Sequence, residues 1–159
     1  MSETLTATTV WKAIDAAIFA VMGHVTPAGK PRTSGVMYAV QDRRIFVAVD
    51  SDSWKARQIH DGDEVSMTVT VPRGGVLPLL FPIPPATITF NARATMYAAD
   101  SVRPGQVPAK LIDPLPADQV KDVTLLELAP QGHFLTYGIG VSLRDMRDPA
   151  KARGRVLVT

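Results

Sequence analysis

Two stretches of this chain alternate apolar and polar residues with a period of two. EVSMTVTV puts Val65, Met67, Val69 and Val71 on one face and Ser66, Thr68 and Thr70 on the other. From Thr87 to Tyr97, Ile88, Phe90, Ala92, Ala94 and Met96 oppose Thr89, Asn91 and Arg93. That spacing belongs to half-buried strands and does not suit a helix. Around these two, PRTSGVMYAV and RRIFVAVD are separated by Gln41-Asp42, and AAIFAVMGHV before the turn Pro27-Ala28-Gly29-Lys30 is apolar enough for a strand buried on both faces. VTLLELAP and GHFLTYGI suggest two closing strands. Six or seven strands joined by tight early turns predict a mainly β fold with short α-helices, an antiparallel barrel closed or partly closed so that few edges are exposed.

The helices are expected to be short. Thr8 or Thr9 can cap one through about Ile14, a second spans Ser53 to His60, and a single turn is expected at Ala109 to Ile112. Pro72 to Pro85 holds Gly74-Gly75 and five prolines, so it reads as a loop, and its Val76, Leu77, Leu79, Leu80, Phe81 and Ile83 imply that it covers something. At 159 residues and 46% apolar composition the chain suits one domain, residues 1–159. The absence of cysteine excludes disulfide frameworks, thiol nucleophiles and zinc-thiolate or iron–sulfur sites, and fits a reducing cytoplasm. A formal charge of +2, with scattered basic residues, gives no sign of a nucleic-acid or membrane surface. The N-terminus lacks an export signal pattern and no stretch reaches the roughly 20 apolar residues of a membrane span, so a soluble cytoplasmic protein is expected.

One stretch suggests a binding site. In Ser51-Asp52-Ser53-Trp54-Lys55-Ala56-Arg57 a strand ends in cap residues and turns directly into a basic helix. Leading amides beside Lys55 and Arg57 suit a phosphate monoester, and Arg32, Thr33 and Ser34 on the preceding hairpin could close around it. The competing reading is a capped surface helix with solvated charges. Trp54 is either a core residue or the flank of a planar ligand, and Trp11 a core residue. His24, His60 and His133 lack ligand spacing and read as turn or surface residues. Asp50 and Asp52 read as turn and cap residues. Gly138-Ile139-Gly140 lacks the third glycine of a dinucleotide motif, and no G-x-S-x-G elbow is present. With no evident acid, base or nucleophile, any chemistry belongs to a cofactor.

Taken together, the first strand, the P-x-G-x-P turn, the second strand opening on Arg32-Thr33, the third strand and Ser53-Trp54-Lys55-Ala56 resemble the pyridoxamine 5'-phosphate oxidase-like, FMN-binding split-barrel family over roughly Ala17 to Val71. The resemblance implies a split β-barrel homodimer with FMN at the subunit interface and flavin-dependent oxidoreductase activity on a small molecule. By position, Arg32, Thr33, Ser53 and Lys55 would hold the phosphate, with Trp54 beside them. Ser34, Gly35, Val36 and Met37, together with Val47 to Asp50, would line the ring and ribityl chain. The C-terminus YGIGVSLRDMRDPAKARGRVLVT lacks the Arg-x-His-Asp-Arg type motif of the true pyridoxamine-phosphate oxidases, which argues against vitamin-B6 oxidation. Relatives of this barrel that bind the deazaflavin coenzyme F420 share the phosphate logic, and a non-enzymatic flavin- or heme-binding carrier or sensor is the remaining alternative.

Overall fold

The computed structural model describes residues 4–72 and 84–159. The proline-rich loop expected between Pro72 and Pro85 therefore falls, over 73–83, outside the described residues. Helix α1, Ala7–Ala16, starts earlier than expected, because Thr6 is its cap and Thr9 takes the reciprocal role. Thr6 Oγ1 accepts from the Thr9 amide at 3.2 Å and Thr9 Oγ1 accepts from the Thr6 amide at 2.9 Å. The helix buries Val10, Trp11 and Ile14.

Strands β1 (Phe19–Val25), β2 (Pro31–Met37), β3 (Ala39–Gln41) and β4 (Arg44–Asp50) follow. The turn between β3 and β4 is Asp42-Arg43, one residue later than expected, and both residues have positive φ, 50° and 56°. That geometry matches the right-handed twist of a two-residue hairpin. Strand β1 is not buried on both faces: Ala20, Met22 and His24 are buried, whereas Phe19 and Val25 are exposed. Its continuous apolar run arises because its outward side chains are apolar too.

After α2 (Trp54–Gln58) come β5 (Glu64–Val71), β6 (Ala86–Ala98), the helical turn α3 (Ala109–Ile112) and β7 (Val123–Tyr137). The two expected closing strands are thus one strand of 15 residues. Its first part pairs with β4 and its last part, His133 to Tyr137, with β8 (Arg153–Leu157), which follows the short α4 (Pro149–Ala152). Pro130 and Gly132, which read as a break in the sequence, lie between these two partners. There the missing proline N–H interrupts no ladder on that edge.

The strands run in the order β2-β1-β5-β6-β7-β4-β3, all antiparallel. Only Tyr38 separates β2 from β3, so the segment 31–41 pairs with β1 at its start and β4 at its end and curls the sheet round on itself. Counted as one strand, it brings the total among the described residues to seven. Tyr38 fixes this corner by donating its hydroxyl to the Ile14 carbonyl at 2.6 Å.

The barrel interior holds Met22, Ile45, Met67, Ile88, Leu126, Leu128 and Phe134. Trp11 and Phe90 each meet Phe134 edge-on, with centroids 5.3 Å apart. A second cluster, Phe46, Ala99, Val107 and Leu125, forms where the connection from β6 to β7 covers the outside of β4 and β7. The outer face of β1, β2 and β8 carries exposed Phe19, Met37 and Leu157.

Candidate functional site

Antiparallel register decides which residues of β1 and β2 act together. His24 lies opposite Arg32, Met22 opposite Ser34 and Ala20 opposite Val36, and these side chains share the inward face. Gly23 with Thr33, Val21 with Gly35 and Phe19 with Met37 share the outward one. The expected site residues are therefore divided: Arg32, Ser34 and Val36 turn one way, Thr33, Gly35 and Met37 the other. Val36 and Val49 belong to the core.

Helix α2 spans five residues rather than the eight from Ser53 to His60, so its dipole is small and the positive charge here comes from side chains. Ser53 caps it, its Oγ accepting from the Ala56 amide at 3.3 Å. Asp50 Oδ1 accepts from the Asp52 amide at 2.7 Å, and Ser51 meets Thr124 at 2.9 Å between hydroxyls. Arg57 reaches Asp52 at 3.9 Å, both side chains well exposed. Asp50, Ser51, Ser53 and Arg57 are thus used in building or flanking the turn.

Above β1, the Trp54 indole stacks on the His24 imidazole with centroids 5.4 Å apart and planes 25° from parallel. Lys55 Nζ stands 5.9 Å from the Trp54 ring centroid. Trp54 is 43% exposed, whereas His24 beneath it is only 6% exposed, correcting its expected turn or surface placement. Among the described residues, the buried side-chain polar atoms without a hydrogen-bond partner are both His24 nitrogens, Ser34 Oγ and Gln58 Oε1. Ser34 is the diagonal neighbour of His24 across the β1–β2 ladder, and Gln58 follows Trp54 by one helical turn. Orphaned polar atoms are rare in proteins, and here two of the four belong to the ring on which Trp54 stacks. His24 and Ser34 can each donate a hydrogen bond, and Arg32 across the ladder and Lys55 on α2 add positive charge, a donor set suited to an anionic group, whereas Gln58 Oε1 is itself an acceptor.

A groove of about 380 Å³ lies over the ends of β1, β2 and β5, lined by Gly23, His24, Arg32, Thr33, Ser66 and Asn91 among others, and Trp54, Lys55, Ser34 and Gln58 do not line it. Gly23 keeps it open, since a Cβ there would stand 2.6 Å from Ser66 Oγ. A larger cavity of about 530 Å³, between α1 and residues 138–142, contains none of the expected site residues. The sequence reading missed His24, Gln58, Ser66 and Asn91. The signal for His24 was its parity with Ala20 and Met22, hidden by reading β1 as buried on both faces. No group of metal-ligating residues is present among the described residues, and none of their helices is long and apolar enough to cross a membrane.

No family model matches the sequence, and no curated protein matches it significantly. Solved structures do resemble it. A heme-binding protein from Mycobacterium smegmatis superposes with a TM-score of 0.65 at 17% identity, over 87% of this chain and 56% of that one. The chain has the split-barrel fold. A FAD-binding protein from Mesorhizobium loti matches this split barrel with a TM-score of 0.59 at 12% identity, over 81% of this chain and 92% of its own. An F420 reductase matches with 0.56 at 19%, over 77% and 93% respectively. At these identities the likeness is one of fold, and it spans just over half the length of the heme-binding protein.

Proposed function

We propose that this split barrel binds FMN by its phosphate and serves as an oxidoreductase on a small organic substrate. The observation that carries the reading is the stack of Trp54 on a buried, unpartnered His24, with Arg32 and Lys55 beside it. These residues lie in the stretch that resembles the FMN-binding family. Arg32 and Lys55, with the donors His24 and Ser34, would hold the phosphate. Bound flavin supplies hydride or electron transfer, while the chain supplies binding, orientation and exclusion of water.

A homodimer belongs to the same proposal. Phe19, Met37 and Leu135 are 44%, 65% and 52% exposed on the outer sheet face, and a second copy packed there would cover them.

Absorption and fluorescence spectra of the purified protein, with mass analysis of any small molecule released on denaturation, test the reading. Recovered FMN, or uptake of added FMN with 1:1 stoichiometry, supports it; no binding of FMN overturns it. The likeness to an F420 reductase favours the deazaflavin coenzyme as a second reading, supported if that coenzyme binds and FMN does not. A bound chromophore that no electron donor reduces would favour a carrier or sensor instead.

A further inference from the structure

We propose that the hollow at the β6–β7 bulge is a carboxylate site anchored by Arg155, and that the small organic substrate is a carboxylic acid with an apolar body. The site stands on its own residues; only its assignment to the substrate rests on the oxidoreductase reading above.

The bulge builds the hollow. Strands β6 and β7 pair Asn91 with Gln131 and Thr89 with Leu135, so residues 132 to 134 of β7 stand opposite Phe90 alone. The extra length bends β7 and re-aims its side chains. Phe134 turns into the core, while Gly132, at φ 69°, leaves open space, since a Cβ there would meet no atom within 4 Å. The result is a hollow of about 360 Å³ lined by Thr89, Asn91, Gln131, His133, Leu135 and Arg155 among others.

Its polar groups are available to a ligand. Arg155 makes no ion pair among the described residues; its Nη2 donates to His133 Nδ1 at 3.3 Å, and its other N–H groups are unengaged. Asn91 and Gln131 lie opposite each other across the ladder, and neither side-chain amide has a partner among the described residues. None of the lining residues is acidic. A guanidinium and two carboxamides suit a carboxylate, which accepts from all of them and pairs with arginine through two parallel N–H bonds. Thr89, its hydroxyl engaged with that of Thr68 at 3.2 Å, and Leu135 give the wall an apolar part. Asn91 also lines the groove of His24 and Arg32, so an acid held by Arg155 would lie next to two of the proposed phosphate ligands. Leu135 belongs to the face proposed for the homodimer, which would put the hollow at the subunit boundary.

Titration with benzoate, and in parallel with benzamide as a neutral analogue of the same shape, tests the site. In the wild-type protein the side-chain amide signals of Asn91 and Gln131 and the Arg155 Nε–H signal should shift in NMR with benzoate and stay in place with benzamide. Arg155→Gln should weaken benzoate binding about fivefold, the upper end for an exposed ion pair. Arg153→Gln, on the same strand but outside the hollow, should leave it unchanged. With FMN added, benzoate should also perturb the flavin absorption spectrum of the wild-type protein, and at the same concentration perturb it less in Arg155→Gln. Unmoved signals, an equal response to benzamide, or equal weakening in both variants would overturn the carboxylate site and leave the FMN reading standing. Benzoate binding at Arg155 beside an unperturbed bound flavin would overturn its assignment to the substrate. Benzoate binding by a protein that takes up no FMN would uphold the site and overturn the oxidoreductase reading.

Discussion

Trp54 lies on the ring of His24, 5.4 Å between centroids, and so closes over an imidazole whose two nitrogens meet no protein partner. A side chain kept solely for packing would not need those nitrogens. Replacing His24 with Phe preserves an aromatic surface for Trp54 and removes the orphaned atoms. Relief of unsatisfied polar burial should raise the stability of the ligand-free protein by about 1–2 kcal/mol. The same variant should lose FMN affinity by roughly tenfold or more, the scale of one hydrogen bond to a charged group. Urea unfolding and flavin titration measure the two quantities. A variant that is less stable yet binds FMN normally would mark His24 as a packing residue.

Lys55 contributes differently, because its charge stands at the rim of the stack and not beneath it. Lys55→Ala should reduce FMN retention through purification while changing the midpoint of unfolding by no more than about 0.5 kcal/mol, as partly exposed charges add little to folding. Flavin content per subunit, read from the spectrum, tests this. Unchanged occupancy would place the phosphate elsewhere.

The legibility of the sequence followed how many faces of each strand are covered. In β5 and β6 the inward residues Val65, Met67, Val69, Ile88, Phe90 and Ala92 are buried as the alternation indicates. In β1 the outward Phe19, Val21 and Val25 are as apolar as the inward residues, so composition could not distinguish the two sides. In β7, Pro130 and Gly132 imitate a turn, and only the handover from β4 to β8 explains why the strand continues. The site divides in the same way. Arg32, Trp54 and Lys55 were readable from local chemistry, whereas the role of His24 depends on the β1–β2 register and the docking of α2, both set by tertiary structure.

The outward face of β1, β2, β7 and β8 bears on assembly. Met37→Asp combined with Leu135→Asp places charge on two side chains that are 65% and 52% exposed, so the fold of a single chain should persist. If two copies pack by this face, the double variant should sediment as a monomer at concentrations where the wild-type protein is a dimer, and its FMN content should fall with it. A monomeric wild-type protein, or a double variant that remains dimeric, would remove this face from the proposed interface.

Tyr38 closes the barrel corner, and its response to alkali has a definite sign. Its hydroxyl donates to the Ile14 carbonyl at 2.6 Å, and burial, aided by the charge of Asp15, pushes its ionisation above the ordinary tyrosine value of 10.0. The unfolded chain therefore loses this proton more readily than the folded one. The stability that the neutral hydroxyl provides is complete below pH 10 and declines as pH rises beyond it, because ionisation then favours the unfolded state. Tyr38→Phe should cost about 1–3 kcal/mol at neutral pH by leaving the Ile14 carbonyl without its donor. Above pH 10 the gap between wild type and variant should narrow, since only the wild type carries the group that titrates. Urea unfolding of both proteins at several pH values from 7 to 11 reads the gap directly. A gap that stays constant across that range would show that Tyr38 ionises in the folded protein as it does in the unfolded chain, and that the corner is not sealed as described.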